Sequence, residues 1–131
     1  KSLGVVITIN NGYYHAVAPN GLLGAQINLR YPSVGATENI ILASVLAHGR
    51  TVIKNAATEP EIIDLIKMLQ NMGAIIELGA DRQITIYGVS RLHGTRHRVL
   101  PDRNEAVSFA CLAIATNGEI LVRGPSLFPG D

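Results

Sequence analysis

The sequence predicts an α/β fold assembled from a repeated strand–helix–strand–helix–strand–strand unit. Three observations carry that expectation. Apolar residues make up 47% of the 131-residue chain, enough for a substantial core. Segments of period-two alternation take turns with segments of helical spacing, as in a parallel or mixed sheet with helices packed on it. The pattern then starts again after roughly seventy residues, a spacing that marks a repeated supersecondary unit.

The elements follow in order. "GVVITINNGYYHAVA" alternates into Asn11-Gly12 and out again, which predicts a hairpin with a two-residue turn. "GAQINLR" reads as a short strand. From Val34 to His48 the residues Ile40, Ile41, Ala43, Val45 and Ala47 recur at helical spacing, with Gly49 as the stop. "RTVIKNA" is again a strand. "TEPEIIDLIKMLQNMGA" is the clearest helix: Thr58 and Glu61 are spaced as a capping box, Pro60 lies in the first turn and Gly73 closes it. Its core stripe is Ile62, Ile63, Leu65, Ile66, Leu69 and Met72. "AIIELGADRQITIYGV" predicts a second hairpin turning near Ala80-Asp81.

The restart is legible residue by residue. "GTRHRVLPDRNEAVSFACLAIATNGEILVRG" answers "GAQINLRYPSVGATENIILASVLAHGRTVIKN", with Gly94 for Gly24, Pro101 for Pro32, Glu105 for Glu38 and Gly118 for Gly49. Asp102 answers Ser33 as helix N-cap. The chain therefore holds a closing hairpin (1–20), one complete unit (24–90), and the strand, helix and strand that open the next. Both helix types are expected to lie well buried between sheets. The chain begins at Lys1 without Met and runs out in "GPSLFPGD", which reads as a linker within a longer polypeptide.

Composition narrows the function classes. Eleven Lys and Arg against ten Asp and Glu give a formal charge of +1, with no like-charge run to track a phosphate backbone, so nucleic acid is not an expected partner. The single cysteine excludes an internal disulfide framework and fits a reducing compartment. No apolar run reaches about 18 residues, so no membrane partner is expected and a soluble, cytosolic protein is the default.

The stretch "YPSVGATEN" is the most informative for function. Pro32 fixes the backbone, Ser33 caps a helix, and Gly35 leaves its first turn bare, a geometry suited to an anion such as phosphate as well as to a plain capped helix. Other candidates are weaker. Cys111, in "FACLAIA", is expected on a buried helix face. His93 and His97 lie at a strand entry without an acidic partner at metal spacing, so no metal site is expected. Tyr13, Tyr14 and His15 suit an edge strand, and Arg82 and Arg91 read as solvated charges.

"SVGATENI", "NAATEPEIIDLIKMLQNMGA" and "RVLPDRNE", in this order and spacing, resemble the enolpyruvyl transferase family, specifically its branch acting on UDP-N-acetylglucosamine. The resemblance runs from Gly12 to about Gly124. It implies two domains, each of three βαβαββ units in an inside-out α/β barrel, of which residues 1–98 would end one and 99–131 begin the next unit or second domain. An isolated chain could pack as one unit. It implies transfer of the enolpyruvyl group of phosphoenolpyruvate to the 3′-hydroxyl of UDP-N-acetylglucosamine by addition and elimination, without a cofactor, at the first committed step of peptidoglycan synthesis in the bacterial cytoplasm.

The family's cysteine acid and aspartate base fall outside the matched region, and Cys111 does not match that cysteine. No catalytic residue is assigned, and the chain alone is expected to be inactive. What carries over is substrate binding: Tyr31, Pro32, Ser33, Val34 and Gly35 match the segment along the uridine diphosphate, with a lysine in many relatives where Tyr31 stands. Glu59, Asp102 and Arg103 match cleft positions. Two alternatives stay open: an enolpyruvyl transferase using a shikimate phosphate, and a non-catalytic α/β module for oligomerisation or nucleotide binding. Uncovered sheet edges and helix faces lead us to expect that the isolated chain self-associates.

Overall fold

The computed structural model describes residues 1–124; the expected linker from 125 onward lies outside them. The chain divides into two compact units, residues 1–97 and 98–131.

The first unit opens with β1 (Val6–Asn10) and β2 (Tyr13–Val17), paired antiparallel from Val6↔Val17 to Asn10↔Tyr13. Asn11 (φ 48°) and Gly12 (φ 79°) are both left-handed, as a two-residue turn of this twist requires. All ten strand residues are exposed, so the hairpin buries little.

Next come β3 (Gln26–Asn28), α1 (Val34–Ser44), β4 (Arg50–Lys54), α2 (Pro60–Asn71), β5 (Ile75–Leu78) and β6 (Ile84–Tyr87). The four strands form one sheet in the order β3-β4-β6-β5. β3 and β4 are parallel, joined through α1, while β6 runs antiparallel to both its neighbours. Register sets the faces. Thr51 lies opposite Ile86, Ile53 opposite Ile84, and Ile76 opposite Ile86, so these side chains share one side of the pleat. The isoleucines among them form the core with Ile41 of α1, Val45 just past its end, and Ile62, Ile66 and Leu69 of α2. The other side carries Gln26, Asn28, Lys54, Glu77 and Tyr87. This is a two-layer arrangement, and among the described residues α1 is not enclosed between sheets: Leu42 and Leu46 stay 53% exposed on its far side.

Several boundaries differ from expectation for identifiable reasons. α1 ends at Ser44 rather than His48, because the His48 backbone is claimed elsewhere: its N–H donates to Leu22 O (2.8 Å) and its carbonyl accepts from Gly24 N (2.7 Å). The capping box at Thr58 and Glu61 does not form. Pro60 is the first helical residue, which makes Glu59 the N-cap, one position later than the box needs. At the other end Gly73 (φ 99°) behaves as expected: its N–H reaches Gln70 O (2.9 Å) while Ala74 N–H reaches Leu69 O (2.9 Å), a Schellman closure. The second hairpin turns on Asp81 and Arg82 (φ 52° and 56°), one residue beyond the expected pair, with Gln83 N–H donating to Ala80 O (3.1 Å).

The second unit contains α3 (Arg103–Thr116), with the Asp102 carboxylate accepting from Asn104 N (2.8 Å) and Glu105 N (3.3 Å). The two N-caps matched by the repeat, Ser33 and Asp102, thus do the same job. The left-handed residue ending α3 is Asn117 (φ 51°), not Gly118. The strands expected before and after α3, around 96–100 and 119–123, are irregular. A strand exists only by pairing, and their alternation finds no partner among the described residues. No residue of α3 is buried; Cys111 in particular is exposed, not on a covered face.

Candidate functional site at the strand ends

β3 and β4 are parallel, so their carboxyl ends lie at the same edge of the sheet, and each feeds the start of a helix. The chain leaves β3 through Leu29, whose N–H still donates to Lys54 O (3.1 Å). Ser33 N–H donates to Tyr31 O (2.8 Å), folding the segment back toward α1. Tyr31 and Pro32 are exposed, and Ser33 and Val34 are half-buried. The Ser33 hydroxyl accepts from Ala36 N (3.3 Å).

The first-turn amides of Val34 and Gly35 have no intrahelical acceptor. Apart from its chain neighbours and its own helix backbone, no atom of the described residues lies within 4 Å of the point where a Gly35 Cβ would sit, so a ligand can approach the backbone there. No acidic residue stands in the first turn of α1. The matching turn of α3 differs: Asp102 caps it with a carboxylate, and Glu105 adds a second. Of two helix starts at equivalent places in the repeat, one neutralises its own dipole and the other leaves it open.

Leaving β4, Asn55 turns left-handed (φ 56°) and its amide donates to Leu29 O (3.1 Å). Ala56 N–H donates to Arg82 O (2.9 Å), tying in the β5–β6 turn. Ala57 N–H donates to the Thr37 hydroxyl (3.0 Å). Glu59 follows as the cap of α2, yet its side chain makes no capping bond. Its Oε2 is shielded from solvent and has no hydrogen-bond partner among the described residues, so capping does not account for this side chain.

Of the residues singled out from sequence, Tyr31, Pro32, Ser33, Val34, Gly35 and Glu59 belong to the first unit, at the carboxyl ends of β3 and β4. Asp102 and Arg103 belong to the second unit, where Asp102 spends one carboxylate oxygen on the cap of α3.

Two features were missed. Thr37 is fully buried, and its position four residues after Ser33 and four before Ile41, in the helix's inward register, was a readable signal. The other is a pair: His97 Nε2 lies 2.9 Å from Asp64 Oδ1, with both side chains largely shielded. The acidic partner of His97 is thus not at metal spacing but 33 residues away on α2, a pairing the sequence reading did not include. His93 is exposed. Among the described residues no group of three His, Cys, Asp or Glu could hold a metal ion, and no helix is long and apolar enough to cross a membrane.

Comparison with known proteins agrees with this architecture. The profile of the family described as EPSP synthase (3-phosphoshikimate 1-carboxyvinyltransferase) matches residues 1–129. The chain is 53% identical over 122 residues to UDP-N-acetylglucosamine 1-carboxyvinyltransferase of Chlamydia trachomatis, covering 93% of this chain and 28% of that protein. It is 50% identical over 129 residues to the protein of the same name in Acidiphilium cryptum, covering 98% and 31%. This chain thus spans about three-tenths of the length of these relatives. Among solved structures, the enolpyruvyl transferase NikO from Streptomyces tendae superposes with a TM-score of 0.73 at 24% identity, over 84% of this chain and 28% of that one. EPSP synthase from Acinetobacter baumannii gives 0.63 at 23%, over 82% and 24%. At such identities these two likenesses speak to the fold.

Proposed function

The chain belongs to the EPSP synthase (3-phosphoshikimate 1-carboxyvinyltransferase) family of enolpyruvyl transferases, and we propose that it supplies part of the sugar-nucleotide site of an enzyme acting on UDP-N-acetylglucosamine. In that reaction the 3′-hydroxyl of the sugar gives its proton to a base as its oxygen adds to C2 of phosphoenolpyruvate, and an acid protonates C3. Loss of a C3 proton and of inorganic phosphate then leaves the enolpyruvyl ether. The resemblance puts the acid and the base outside the matched stretch, so on this reading the 131-residue chain alone is expected to carry out no turnover. The relatives at 50–53% identity, all named for this substrate, favour it over a shikimate phosphate. The same reading assigns the reaction to the bacterial cytoplasm and to peptidoglycan synthesis.

The observation that carries the proposal is the contrast between the two helix starts. α1 offers the amides of Val34 and Gly35, an open approach and no carboxylate of its own. A diphosphate laid along Tyr31, Pro32, Ser33, Val34 and Gly35 would accept from those amides at the positive end of the helix dipole. Glu59 is taken as lining the same cleft. The break between residues 97 and 98 supports treating the chain from 99 onward, with Asp102 and Arg103, as the start of the next unit.

Titration of the 131-residue chain with UDP-N-acetylglucosamine, followed by amide NMR, tests this directly. Shifts centred on Val34 and Gly35 are expected. A folded spectrum with no change at those amides up to millimolar ligand would defeat the proposal for this chain.

A further inference from the structure

We infer that Thr37 is the positioning residue that couples the nucleotide-facing turn of α1 to the segment carrying Glu59. The inference rests on reading the start of α1 as the nucleotide element, and it adds a route by which occupancy of that element is felt at α2.

The Thr37 hydroxyl both donates and accepts. It donates to Ser33 O (2.7 Å), the carbonyl of the N-cap itself, and accepts from Ala57 N–H (3.0 Å). Ser33 O also takes the Thr37 backbone N–H (3.0 Å), so the cap carbonyl is held twice by one residue. Thr37 is 0% exposed, and water does not compete for either bond. Threonine on a helix commonly bonds the carbonyl four residues back; here the same oxygen also receives an amide 20 residues ahead.

The other bonds of the 55–57 segment go elsewhere: Asn55 to Leu29 and Ala56 to Arg82. The bond from Ala57 is the one that reaches α1. Two residues later stands Glu59, with a shielded carboxylate oxygen that has no partner among the described residues. A ligand pulling on the amides next to Ser33 shifts the cap carbonyl. Thr37 follows, and through Ala57 N–H so does the lead-in to Glu59. The coupling therefore needs the hydroxyl and not the methyl, a distinction that shape alone does not make.

Thr37→Val keeps the shape and removes the hydroxyl, whereas Thr37→Ser keeps the hydroxyl. Two measurements on the 131-residue chain decide the matter. Without ligand, the Ala57 amide should exchange about fivefold faster in Thr37→Val, matching one lost neutral hydrogen bond, and near the parent rate in Thr37→Ser. With UDP-N-acetylglucosamine, the parent and Thr37→Ser should show shifts at Val34 and Gly35 together with shifts at residues 57–59. Thr37→Val should keep the first set and lose the second. Should Thr37→Val not fold, Thr37→Ala with the same two readouts takes its place.

Unchanged Ala57 exchange, or shifts at 57–59 that persist without the hydroxyl, would overturn the inference. A parent chain with no shift at Val34 and Gly35 would instead overturn the nucleotide reading and the ligand-driven half of the coupling with it. The joint itself would still be decided by the exchange at Ala57.

Discussion

A methyl group added at Gly88 would meet backbone on a side where nothing can move aside. The Cβ of an alanine there would fall onto the carbonyl oxygen of Ala47, with Ala47 C at 2.8 Å and N at 3.3 Å. Gly88 is not among the residues with positive φ, so alanine fits the backbone conformation itself. On that ground alone Gly88→Ala should stabilise the protein by about 0.4–1 kcal/mol, because the unfolded chain loses freedom. The collision acts in the opposite direction. Relieving it parts the end of β6 from the end of α1, where Gly88 N–H donates to Gly49 O (2.9 Å) and Val89 N–H to Val45 O (2.9 Å). Two neutral hydrogen bonds contribute about 2 kcal/mol, and overpacking a filled site costs about 1–3 kcal/mol. The net expectation is a loss of roughly 2–4 kcal/mol, a large part of the about 5–15 kcal/mol typical of a folded domain. Urea unfolding followed by circular dichroism measures it. With a slope of about 1–1.5 kcal/mol per molar, the midpoint should fall by on the order of 2 M at unchanged slope. A midpoint that is unmoved or higher would refute the close approach.

Gly35→Ala is the complementary case. With open space around the added methyl in the first turn of α1, thermal unfolding should show a gain of about 0.5–1 kcal/mol, while the shifts induced by UDP-N-acetylglucosamine weaken; a stabilised variant that responds as the parent does contradicts the diphosphate site. Self-association of the isolated chain is expected from the exposed Ile9, Tyr13 and Tyr14 on the hairpin and Val107, Leu112 and Ile114 on α3. Light scattering across a concentration series should show species above the monomer mass, and a clean monomer throughout argues against it.

Features written in neighbouring residues were readable. Asn11-Gly12 specified its turn, Gly73 its helix stop, and the match of Ser33 with Asp102 predicted two caps that both form. The α2 stripe held in part: Ile62, Ile66 and Leu69 are buried and Leu65 and Met72 pack half-buried against the core, whereas Ile63 stays outside it. What escaped depends on contacts between distant residues. The end of α1 is decided by Leu22 and Gly24 taking the His48 backbone, more than twenty residues away. The stretches around 96–100 and 119–123 alternate like strands, but alternation cannot say whether a partner strand exists. At the candidate site the same division holds. Ser33 and Gly35 announce an open helix start, whereas the Thr37–Ala57 bond and the His97–Asp64 pair span 20 and 33 residues and leave only a buried register as a trace.

The two apolar sides of α1 have a consequence for how the protein is made. Ile41, and Val45 at the cap, pack into the core, while Leu42, and Leu46 in the turn that follows, stay exposed. On the ribosome the first side can close once β6 has emerged, some forty residues after α1, or roughly 2–8 s at about 5–20 residues per second. The second side gains nothing from that event, because its own sheet cannot reach it. From residue 87 onward a nascent chain therefore carries a finished sheet with an apolar helix back that the sheet leaves exposed.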